Sequence, residues 1–529
     1  MRRILVTLAA SLELALAVDP LVDLGHTQYQ GIALSNGVSQ WLGMRFAAPP
    51  TGDLRFSAPA DPPPNDTVQI ANTHGPLCFS TGAGFPQSGH AEDCLFLDVY
   101  APSHATTDSK LPVMFFIQGG GLNDLSNADY NGSQLIEAAD FQMIVVTHNY
   151  RVGTFGFLAS AEIQANGSIN NGFLDQRKAL QWVQDNIEQF GGNPKHVVLS
   201  GDSAGAQSIT VHLTAFGGSH TDLFHGVIAE SQSFPPIFNV SGMQFAYDAL
   251  VERTGCDNGS DTLACLRVLD IATLQNASIA IPYPGRNGTP NFLYGAIVDG
   301  DLIPDIPYNL FAQGQFVDVP SVFGDDTNEG TVFTPNNLNS TEDMNNFLLD
   351  NFPFLTEDDL STIDANYPVA DQFPDHGEFY FNAASAYGET RYICPGIFVS
   401  DSLLQYNTQP VWNYHYNVTD PTELEEGLGV PHTIEINAIW GLNSTTGTPP
   451  ASYFTTNANI IPVIQGYWTS FIRTLDPNTL RADGTPRWTK YDSVHRILFE
   501  TNNTRMEDIP RTQRQRCNFL ARIAPSQQQ

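Results

Sequence analysis

Unbroken apolar runs alternate with amphipathic segments through the first half of the chain. Four such runs have the length and composition of buried β-strands: 95–101, 111–118, 143–150 and 196–200. Between the last two, a helix is predicted over 175–190, with its apolar residues spaced to share one face: Leu180, Val183, Ile187 and Phe190. Gly191-Gly192 would end that helix. The alternation predicts an α/β fold whose mostly parallel sheet is covered by helices on both faces.

The second half of the chain has fewer clear elements. Strands are predicted at 319–326 and 410–418. The stretch from about 235 to 315 is rich in Pro and Gly, and we interpret it as large surface insertions. No repeat, charge block or low-complexity linker divides the chain, so we expect a single domain over 18–529.

Composition limits the class of partner. The chain has 529 residues, of which 42% are hydrophobic, and it can therefore bury a large core. Its formal net charge of -33 disfavours binding to nucleic acid or to an anionic membrane surface, because both would repel it. Such a charge is typical of a protein that stays soluble in an acidic or extracellular medium.

The first residues have the pattern of a secretory signal peptide. Met1-Arg2-Arg3 precedes a short, mostly apolar stretch that ends in Ala15-Leu16-Ala17, which predicts cleavage after residue 17. No later stretch is apolar for long enough to predict a transmembrane anchor. We therefore expect a secreted, extracellular protein.

Glycosylation sequons and cysteines agree with secretion. Eleven asparagines are candidate acceptors: Asn65, Asn131, Asn166, Asn239, Asn258, Asn276, Asn287, Asn339, Asn417, Asn443 and Asn502. The six cysteines form an even set in an oxidising compartment: Cys78, Cys94, Cys256, Cys265, Cys394 and Cys517. Six cysteines allow about 15 pairings, and the residues alone do not choose among them.

A serine lies between two glycines where a buried strand meets a helix. The sequence Gly201-Asp202-Ser203-Ala204-Gly205 follows the strand 196–200 and precedes a second apolar helix. This context is that of a nucleophile elbow, a strained turn that presents a serine hydroxyl above the sheet. A tight turn of small residues is the alternative.

A serine nucleophile needs a base that is oriented by a carboxylate. The strand 319–326 ends in a cluster of acids, Asp325, Asp326 and Glu329, any of which could serve. Four histidines follow: His376, His415, His432 and His495. His415 falls inside a strand, whereas His432 lies in a loop beyond a strand end, which favours His432 as the base.

Three consecutive glycines follow the strand 111–118. Gly119-Gly120-Gly121 can turn backbone amides into one pocket with no side chain in the way, as an oxyanion hole requires. A plain flexible loop is the alternative.

Seven motifs in order resemble the type-B carboxylesterase/lipase family, the cholinesterase-like branch of the α/β hydrolases, and most of all its secreted fungal members. They are "MRFAAPP" (44–50), "EDCLFLDVY" (92–100), "QGGG" (118–121), "NYRVGTFGFL" (149–158), "DQRKALQWVQDNIEQFGGNP" (175–194), "GDSAGA" (201–206) and "TNEGT" (327–331). The resemblance runs almost from end to end and implies an α/β-hydrolase fold.

The resemblance also implies a role for each site residue. Ser203 would be the nucleophile, Glu329 the acid and His432 the base. The oxyanion donors would be the amides of Gly120, Gly121 and Ala204. The implied disulfides are Cys78–Cys94, Cys256–Cys265 and Cys394–Cys517. No metal or organic cofactor is expected, because a triad and an oxyanion hole complete acyl transfer.

The substrate would be a small-molecule or lipid-like carboxylic ester. In relatives the loop between Cys78 and Cys94 forms a lid or gorge wall, but here it has only fifteen residues and no Trp. This disfavours a triacylglycerol lipase and a choline esterase and favours a general carboxylesterase. A lipase or sterol esterase and a feruloyl-type esterase are the alternatives. The alternative from another class is a non-catalytic cholinesterase-like binding domain, which the presence of Ser203 and His432 disfavours. The oligomeric state is not predicted.

Overall fold

The computed structural model describes residues 20–125, 130–219, 222–369, 375–406 and 408–529. The predicted signal peptide, residues 1–17, lies outside these ranges.

Strands occur throughout the described ranges. In chain order they are β1 (Leu21–Asp23), β2 (Gln28–Gln30), β3 (Ile32–Ala33), β4 (Val38–Arg45), β5 (Val68–Ile70), β6 (Phe96–Pro102), β7 (Leu111–Ile117), β8 (Ile144–His148), β9 (Gly192–Asp202), β10 (Gly226–Glu230), β11 (Phe238–Asn239), β12 (Ile297–Val298), β13 (Ser321–Asp326), β14 (Val411–Tyr416), β15 (His495–Phe499) and β16 (Arg505–Asp508). All six predicted strands are confirmed, with small shifts at their ends.

Helices connect these strands. They are α1 (Ser133–Ala138), α2 (Gly153–Phe157), α3 (Ala161–Asn166), α4 (Asn171–Asn186), α5 (Ala204–Thr214), α6 (Val240–Thr254), α7 (Thr262–Val268), α8 (Ile271–Ala277), α9 (Pro307–Ala312), α10 (Thr341–Asn351), α11 (Glu357–Asn366), α12 (Tyr380–Gly388), α13 (Cys394–Tyr406), α14 (Pro421–Glu425), α15 (Ile436–Trp440), α16 (Ile460–Thr474) and α17 (Arg511–Ile523). Within the described ranges, no helix combines the length and the apolar character of a bilayer span.

The described strands form one large sheet and two small ones. The large sheet has eleven strands in the order β16-β15-β14-β13-β10-β9-β7-β8-β6-β4-β3. From β8 to β15 all neighbours are parallel, and the outer strands on both sides are antiparallel. The carboxyl ends of β9, β10, β13 and β14 therefore lie at the same edge, and this edge carries the candidate site.

Two apolar layers cover the sheet, one on each face. Along β7, Val113 and Phe115 belong to one buried cluster, and the alternate residues Met114 and Phe116 belong to the other. This follows from the two-residue period of a strand, which sends successive side chains to opposite faces. Helix α4 covers the first face, and α16 covers the second. The predicted two-sided burial of the central strands is confirmed.

The predicted helix over 175–190 is confirmed with an earlier start. Helix α4 ends at Asn186, and a 3₁₀ turn continues the same path through Ile187–Phe190 to Gly191. Gly191 has a φ of 87°, a conformation that glycine adopts without steric penalty, so it ends the helical path. All four residues of the predicted apolar face are fully buried.

The interpretation of 235–315 as surface insertions is wrong in part. The stretch contains α6 to α9, and residues such as Tyr247, Leu266 and Phe311 are buried in the main core. Gly255, with a φ of 70°, ends α6, and Pro307 begins α9. Between α8 and α9, where every residue is described, no helix occurs, and this segment holds many of the Gly and Pro residues of the stretch.

Three disulfides connect the pairs that the resemblance implies, Cys78–Cys94, Cys256–Cys265 and Cys394–Cys517. The last joins α13 to α17 across 123 positions of sequence. None of the eleven sequon asparagines is buried; Asn131 and Asn417 are half-buried and the other nine are exposed. Each of them therefore has at least part of its surface available to a glycan.

A buried ion pair holds the segment after β8. The guanidinium of Arg151 donates to both carboxylate oxygens of Asp175 on α4, at 2.8 and 2.7 Å, and neither side chain is more than 3% exposed. Two residues on, the amide of Gly153 donates to Leu122 O at 2.7 Å. The pair thus supports the loop that follows the three glycines.

Replacing Asp175 by Ala should lower the free energy of unfolding by about 3–5 kcal/mol, because Arg151 would be left as an uncompensated buried cation. Urea denaturation followed by tryptophan fluorescence measures the change. The matched control is Glu188→Ala, which breaks the exposed pair with Lys110 and should cost less than about 1 kcal/mol. Equal losses in the two variants would contradict the assigned role of the buried pair.

Candidate active site

Ser203 occupies a strained turn between β9 and α5. Its φ of 56° and ψ of -117° lie outside the ordinary helical and extended regions, and its amide donates to Glu230 O at 2.8 Å. A Cβ on Gly205 would lie 1.8 Å from Ile117 O, and one on Gly201 would lie 2.6 Å from the same atom. The two glycines are thus required because the turn packs directly against the backbone end of β7.

Glu329 and His432 meet on two loops at the same edge of the sheet. Nδ1 of His432 makes a short hydrogen bond with Oε2 of Glu329, and both side chains are almost fully buried. The other carboxylate oxygen accepts the amide of Asp326 at 2.8 Å. The loops are joined by two further bonds at 2.9 Å, from Asn328 N to Val430 O and from Val430 N to Asn328 Oδ1.

This contact determines which ring nitrogen is available for chemistry. A proton on Nδ1, donated to the carboxylate, leaves Nε2 as an acceptor. Nε2 is buried and makes no hydrogen bond with any of the described residues. Contacts between nucleophile and base are often loose without substrate and tighten on binding. The arrangement therefore has an oriented imidazole with an unused acceptor nitrogen.

The remaining acids of the predicted cluster have other contacts. Asp325 faces Arg496 at 3.4 Å, and Asp326 accepts the amide of Thr433 at 2.7 Å. Of the three candidate carboxylates, only Glu329 bonds to the ring of His432.

The other candidate histidines make their contacts with residues other than Glu329. His415 lies in β14 and uses both ring nitrogens, at 2.8 Å each, with Glu507 and Thr327. Burial lowers its pKa. His495 is at the start of β15, half exposed between Asp492 and Asp508. His376 packs at a tilt against Tyr380, with ring centroids 4.2 Å apart. The prediction that His415 lies inside a strand is confirmed.

The glycine loop after β7 presents unpaired backbone donors beside Ser203. Gly120 and Gly121 have φ values of 109° and 62°, and their amides have no acceptor among the described residues. Ala204 is the first residue of α5, where a helix has no acceptor for its own N–H. A Cβ on Gly119 would lie 2.9 Å from the Ser203 Cβ, so the loop and the serine are in close contact.

Asp202 bonds to this loop and interacts electrostatically with His432. Its Oδ1 accepts the amide of Gly119 at 3.0 Å. Burial raises the pKa of Asp202 to about 6, and the nearby His432 opposes that rise.

Asn123 is a residue of this region that the sequence reasoning missed. Its Nδ2 donates to Gly121 O at 2.8 Å and to Tyr294 O at 2.6 Å, and its backbone O accepts Thr81 N at 2.9 Å. Asn123 therefore connects the glycine loop to the Tyr294 segment and to the Cys78–Cys94 loop. The only sequence signal is an amide side chain two residues after the last of the three glycines, which is too common to select it.

Aromatic rings enclose the histidine and the glycine loop. The ring centroid of His432 lies 4.3 Å from Tyr392 and 5.1 Å from Phe333. Phe333 packs on Phe292 at 5.9 Å, and the Phe292 ring would lie 2.1 Å from a Cβ on Gly121. These rings form an apolar wall that runs from the glycine loop to the histidine.

Hydrogen bonds restrain the loop between Cys78 and Cys94 at several points. Gln275 Nε2 donates to Ser80 O at 2.7 Å, Gly82 N donates to Ser278 O at 2.7 Å, and Phe85 N donates to Asn276 Oδ1 at 2.9 Å. Phe79 is buried. Bonds to α8 and its end thus add to the disulfide in restraining the loop.

No cluster of three or more metal-binding side chains occurs among the described residues. The arrangement comprises a strained serine, an oriented imidazole and unpaired amides, which together can carry out acyl transfer.

Known proteins resemble the chain along nearly its whole length. Residues 19–520 match the Carboxylesterase family. Secreted lipase 4 of Gibberella zeae is 29% identical over 90% of this chain and 86% of that protein. Secreted lipase 1 of Botryotinia fuckeliana is 31% identical over 87% of this chain and 85% of that protein. The crystal structure of Aspergillus niger EstA has a TM-score of 0.94 at 44% identity, covering 97% of this chain and 99% of that one.

An organophosphate should modify Ser203 stoichiometrically, because this serine lies in a strained turn beside unpaired backbone donors. His432→Ala should lower the labelling rate by several orders of magnitude, since the base would be missing. His415→Ala is the matched control and should label at the wild-type rate. Mass spectrometry of the peptide that contains Ser203 makes the measurement. Full labelling in His432→Ala, with loss in His415→Ala, would show that the wrong histidine is assigned.

Proposed function

The chain belongs to the carboxylesterase family, has the α/β-hydrolase fold and is a carboxylic ester hydrolase, and we propose that it acts through an acyl-enzyme on Ser203. The observation that carries this proposal is the hydrogen bond between Glu329 and His432, at the same sheet edge as the strained serine turn.

In the first half-reaction, Oγ of Ser203 attacks the carbonyl carbon of the ester and its proton passes to Nε2 of His432. Glu329 stabilises the resulting imidazolium through Nδ1. The carbonyl oxygen becomes an oxyanion, which the amides of Gly120, Gly121 and Ala204 bind. The tetrahedral intermediate collapses as His432 donates its proton to the leaving alcohol, and the acyl group stays on Ser203.

In the second half-reaction, water replaces the alcohol. His432 takes a proton from the water as its oxygen attacks the acyl carbon, and the same amides bind the new oxyanion. Collapse breaks the bond to Oγ, which regains its proton from His432, and the carboxylic acid leaves. No step requires a metal or an organic cofactor.

The substrate class proposed is dissolved esters of short to medium acyl chain. A lid that opens at an oil surface must swing, but the loop between Cys78 and Cys94 is tied by a disulfide and by hydrogen bonds to the α8 region. The half-buried rings of Phe292 and Phe333 also narrow the space beside Gly121 and His432. Both observations support a small substrate.

A lipase is the second candidate, because two of the relatives are named secreted lipases. The name EstA, carried by the similar solved structure, does not decide between the two.

We further propose that the protein is secreted after removal of residues 1–17, leaving a single domain over 18–529. Three disulfides and eleven sequon asparagines with exposed surface support an oxidising, glycosylating route.

Ser203→Ala should lower kcat on p-nitrophenyl acetate on the order of 10⁶-fold, because no other group in the site can form the acyl-enzyme. Rapid quenching of wild type followed by peptide mass spectrometry should find the acetyl group on Ser203. The matched control is Ser109→Ala in the exposed loop before β7, which should leave kcat unchanged. Substantial hydrolysis by Ser203→Ala would refute the proposed mechanism.

The rate should rise smoothly with substrate concentration through the solubility limit of tributyrin, since no large apolar lid opens at the interface. Long-chain triglyceride should be hydrolysed more slowly than tributyrin. A pH-stat assay of both substrates makes the measurement. A jump in rate when the emulsion forms, with long chains preferred, would replace the esterase assignment by a true lipase.

A further inference from the structure

Two buried carboxyl groups lie side by side beneath the loop of His432. Asp326 is the last residue of β13, and Glu435 immediately precedes α15; both are completely inaccessible to solvent. Oδ2 of Asp326 accepts Thr433 N at 2.7 Å, and Oε1 of Glu435 accepts the hydroxyl of Tyr414 at 2.9 Å. The remaining two oxygens, Asp326 Oδ1 and Glu435 Oε2, have no donor among the described residues.

A shared proton accounts for both unpaired oxygens. Each carboxyl is the hydrogen-bonding neighbour of the other, and two carboxylates in contact would repel one another in the absence of a proton. One proton between them converts two unpaired acceptors into an O–H···O bond. The pair then carries a single negative charge, for which Thr433 N and the Tyr414 hydroxyl supply donors.

The surroundings of the pair favour retention of that proton. Burial, followed by the charges of neighbouring acids, raises the pKa of Asp326 well above its usual range, and burial raises the pKa of Glu435 to about 7. The groups that face the pair are two acids and three phenols, none of them a cation: Glu329, Glu230, Tyr414, Tyr416 and Tyr453. His432, which would become cationic during the proposed reaction, is linked to this surrounding through its bond to Glu329, and the cation Arg496 faces the adjacent Asp325.

We propose that Asp326 and Glu435 share one proton and that this protonated pair positions His432 for catalysis. The inference rests on the proposed role of His432 as the base. Neither carboxyl touches the substrate, so both are positioning residues.

The backbone around His432 shows how the pair would act. Thr433 follows the histidine directly and has a φ of 62°, a left-handed conformation that is unfavourable for a β-branched residue. Its amide is held by Asp326, while Glu435 anchors the same loop two residues further on. The Asp326 carboxylate also faces the hydroxyl of Ser231, at 3.5 Å, at the end of β10. The loop of His432 is therefore fixed to β13 and β14 through the pair.

Loss of the shared proton should disturb this anchoring. A second negative charge would then be buried beside Glu329 with no donor for the two inner oxygens, and the pair would separate. Since the folded protein binds this proton more tightly than the unfolded chain does, the associated stability is complete in acid and is lost as pH rises through the raised pKa of Asp326, the second of the two carboxyls to lose its proton. Both kcat and thermal stability should therefore fall on the alkaline side.

Glu435→Gln and Asp326→Asn test this directly, because each amide replaces the shared proton by a permanent N–H donor at unchanged charge. In both variants the alkaline midpoint, which is the pH at which kcat has fallen by half on the alkaline side, should rise by about one unit or more. The decrease in Tm at alkaline pH should become smaller as well. Asp326→Ala removes the acceptor for Thr433 N and should lower kcat about 10²-fold at constant KM, with recovery in Asp326→Asn.

Glu230→Gln is the matched control. Glu230 is a neighbouring buried acid whose pKa burial raises well above its usual range, but it lies outside the pair, so its variant should keep the wild-type alkaline midpoint. If both pair variants also keep that midpoint, or if Asp326→Ala keeps the wild-type kcat, the proposal is refuted.

A further measurement can be made on the wild-type protein and does not require that any variant folds. Infrared titration of the protein should show the C=O band of a protonated carboxylic acid disappearing over the pH range in which kcat falls. Because other buried acids such as Glu230 and Asp325 also have raised pKa values, bands that disappear elsewhere are not decisive; the absence of any such change over the range in which kcat falls would refute the proposal. Failure of the triad assignment is distinguishable, because it would appear as activity in His432→Ala, which none of these measurements uses.

Discussion

Between two loops at the carboxyl edge of the sheet, the imidazole of His432 donates through Nδ1 to the carboxylate of Glu329, and the rest of the candidate site depends on this contact. It leaves Nε2 as the acceptor and determines the direction in which that nitrogen points. The contact exists because β13 and β14 are parallel neighbours, so the loops after them leave the sheet together. The bonds between Asn328 and Val430 then prevent the loops from separating.

The second constraint is the close approach of backbone segments to one another. It explains why glycines occupy these positions better than a need for flexibility does. Gly201 and Gly205 allow the serine turn to contact the end of β7, and Gly121 allows the Phe292 ring to contact the glycine loop. Side chains at these positions would push apart the segments that carry Ser203 and the unpaired amides. Asn123 completes the arrangement by joining that loop to two neighbouring segments.

Much of this arrangement could be predicted from local pattern. The buried strands and α4 could be predicted from the spacing of apolar residues and the positions of glycines. Ser203 could be selected because its motif lies where a strand meets a helix. Residues alone left the acid open among Asp325, Asp326 and Glu329, and the resemblance selected the one that bonds to His432. Contacts between segments that are distant in sequence could not be predicted. No local sequence pattern indicates which loop the side chain of Asn123 or Glu435 will contact. The helices of 235–315 were missed because their Gly and Pro content concealed the apolar faces between the helix ends.

The buried acids also change the meaning of the net charge. The formal value of -33 counts every carboxyl as ionised. Burial raises the pKa of Glu230, Asp325 and Asp326 well above the usual carboxyl range, which favours their neutral forms relative to that count. In the proposed acyl transfer a negative charge develops on the carbonyl oxygen, and ionised carboxylates nearby would oppose it. Buried acids whose neutral forms are favoured therefore suit a site in which Glu329 is the carboxylate that bonds to His432.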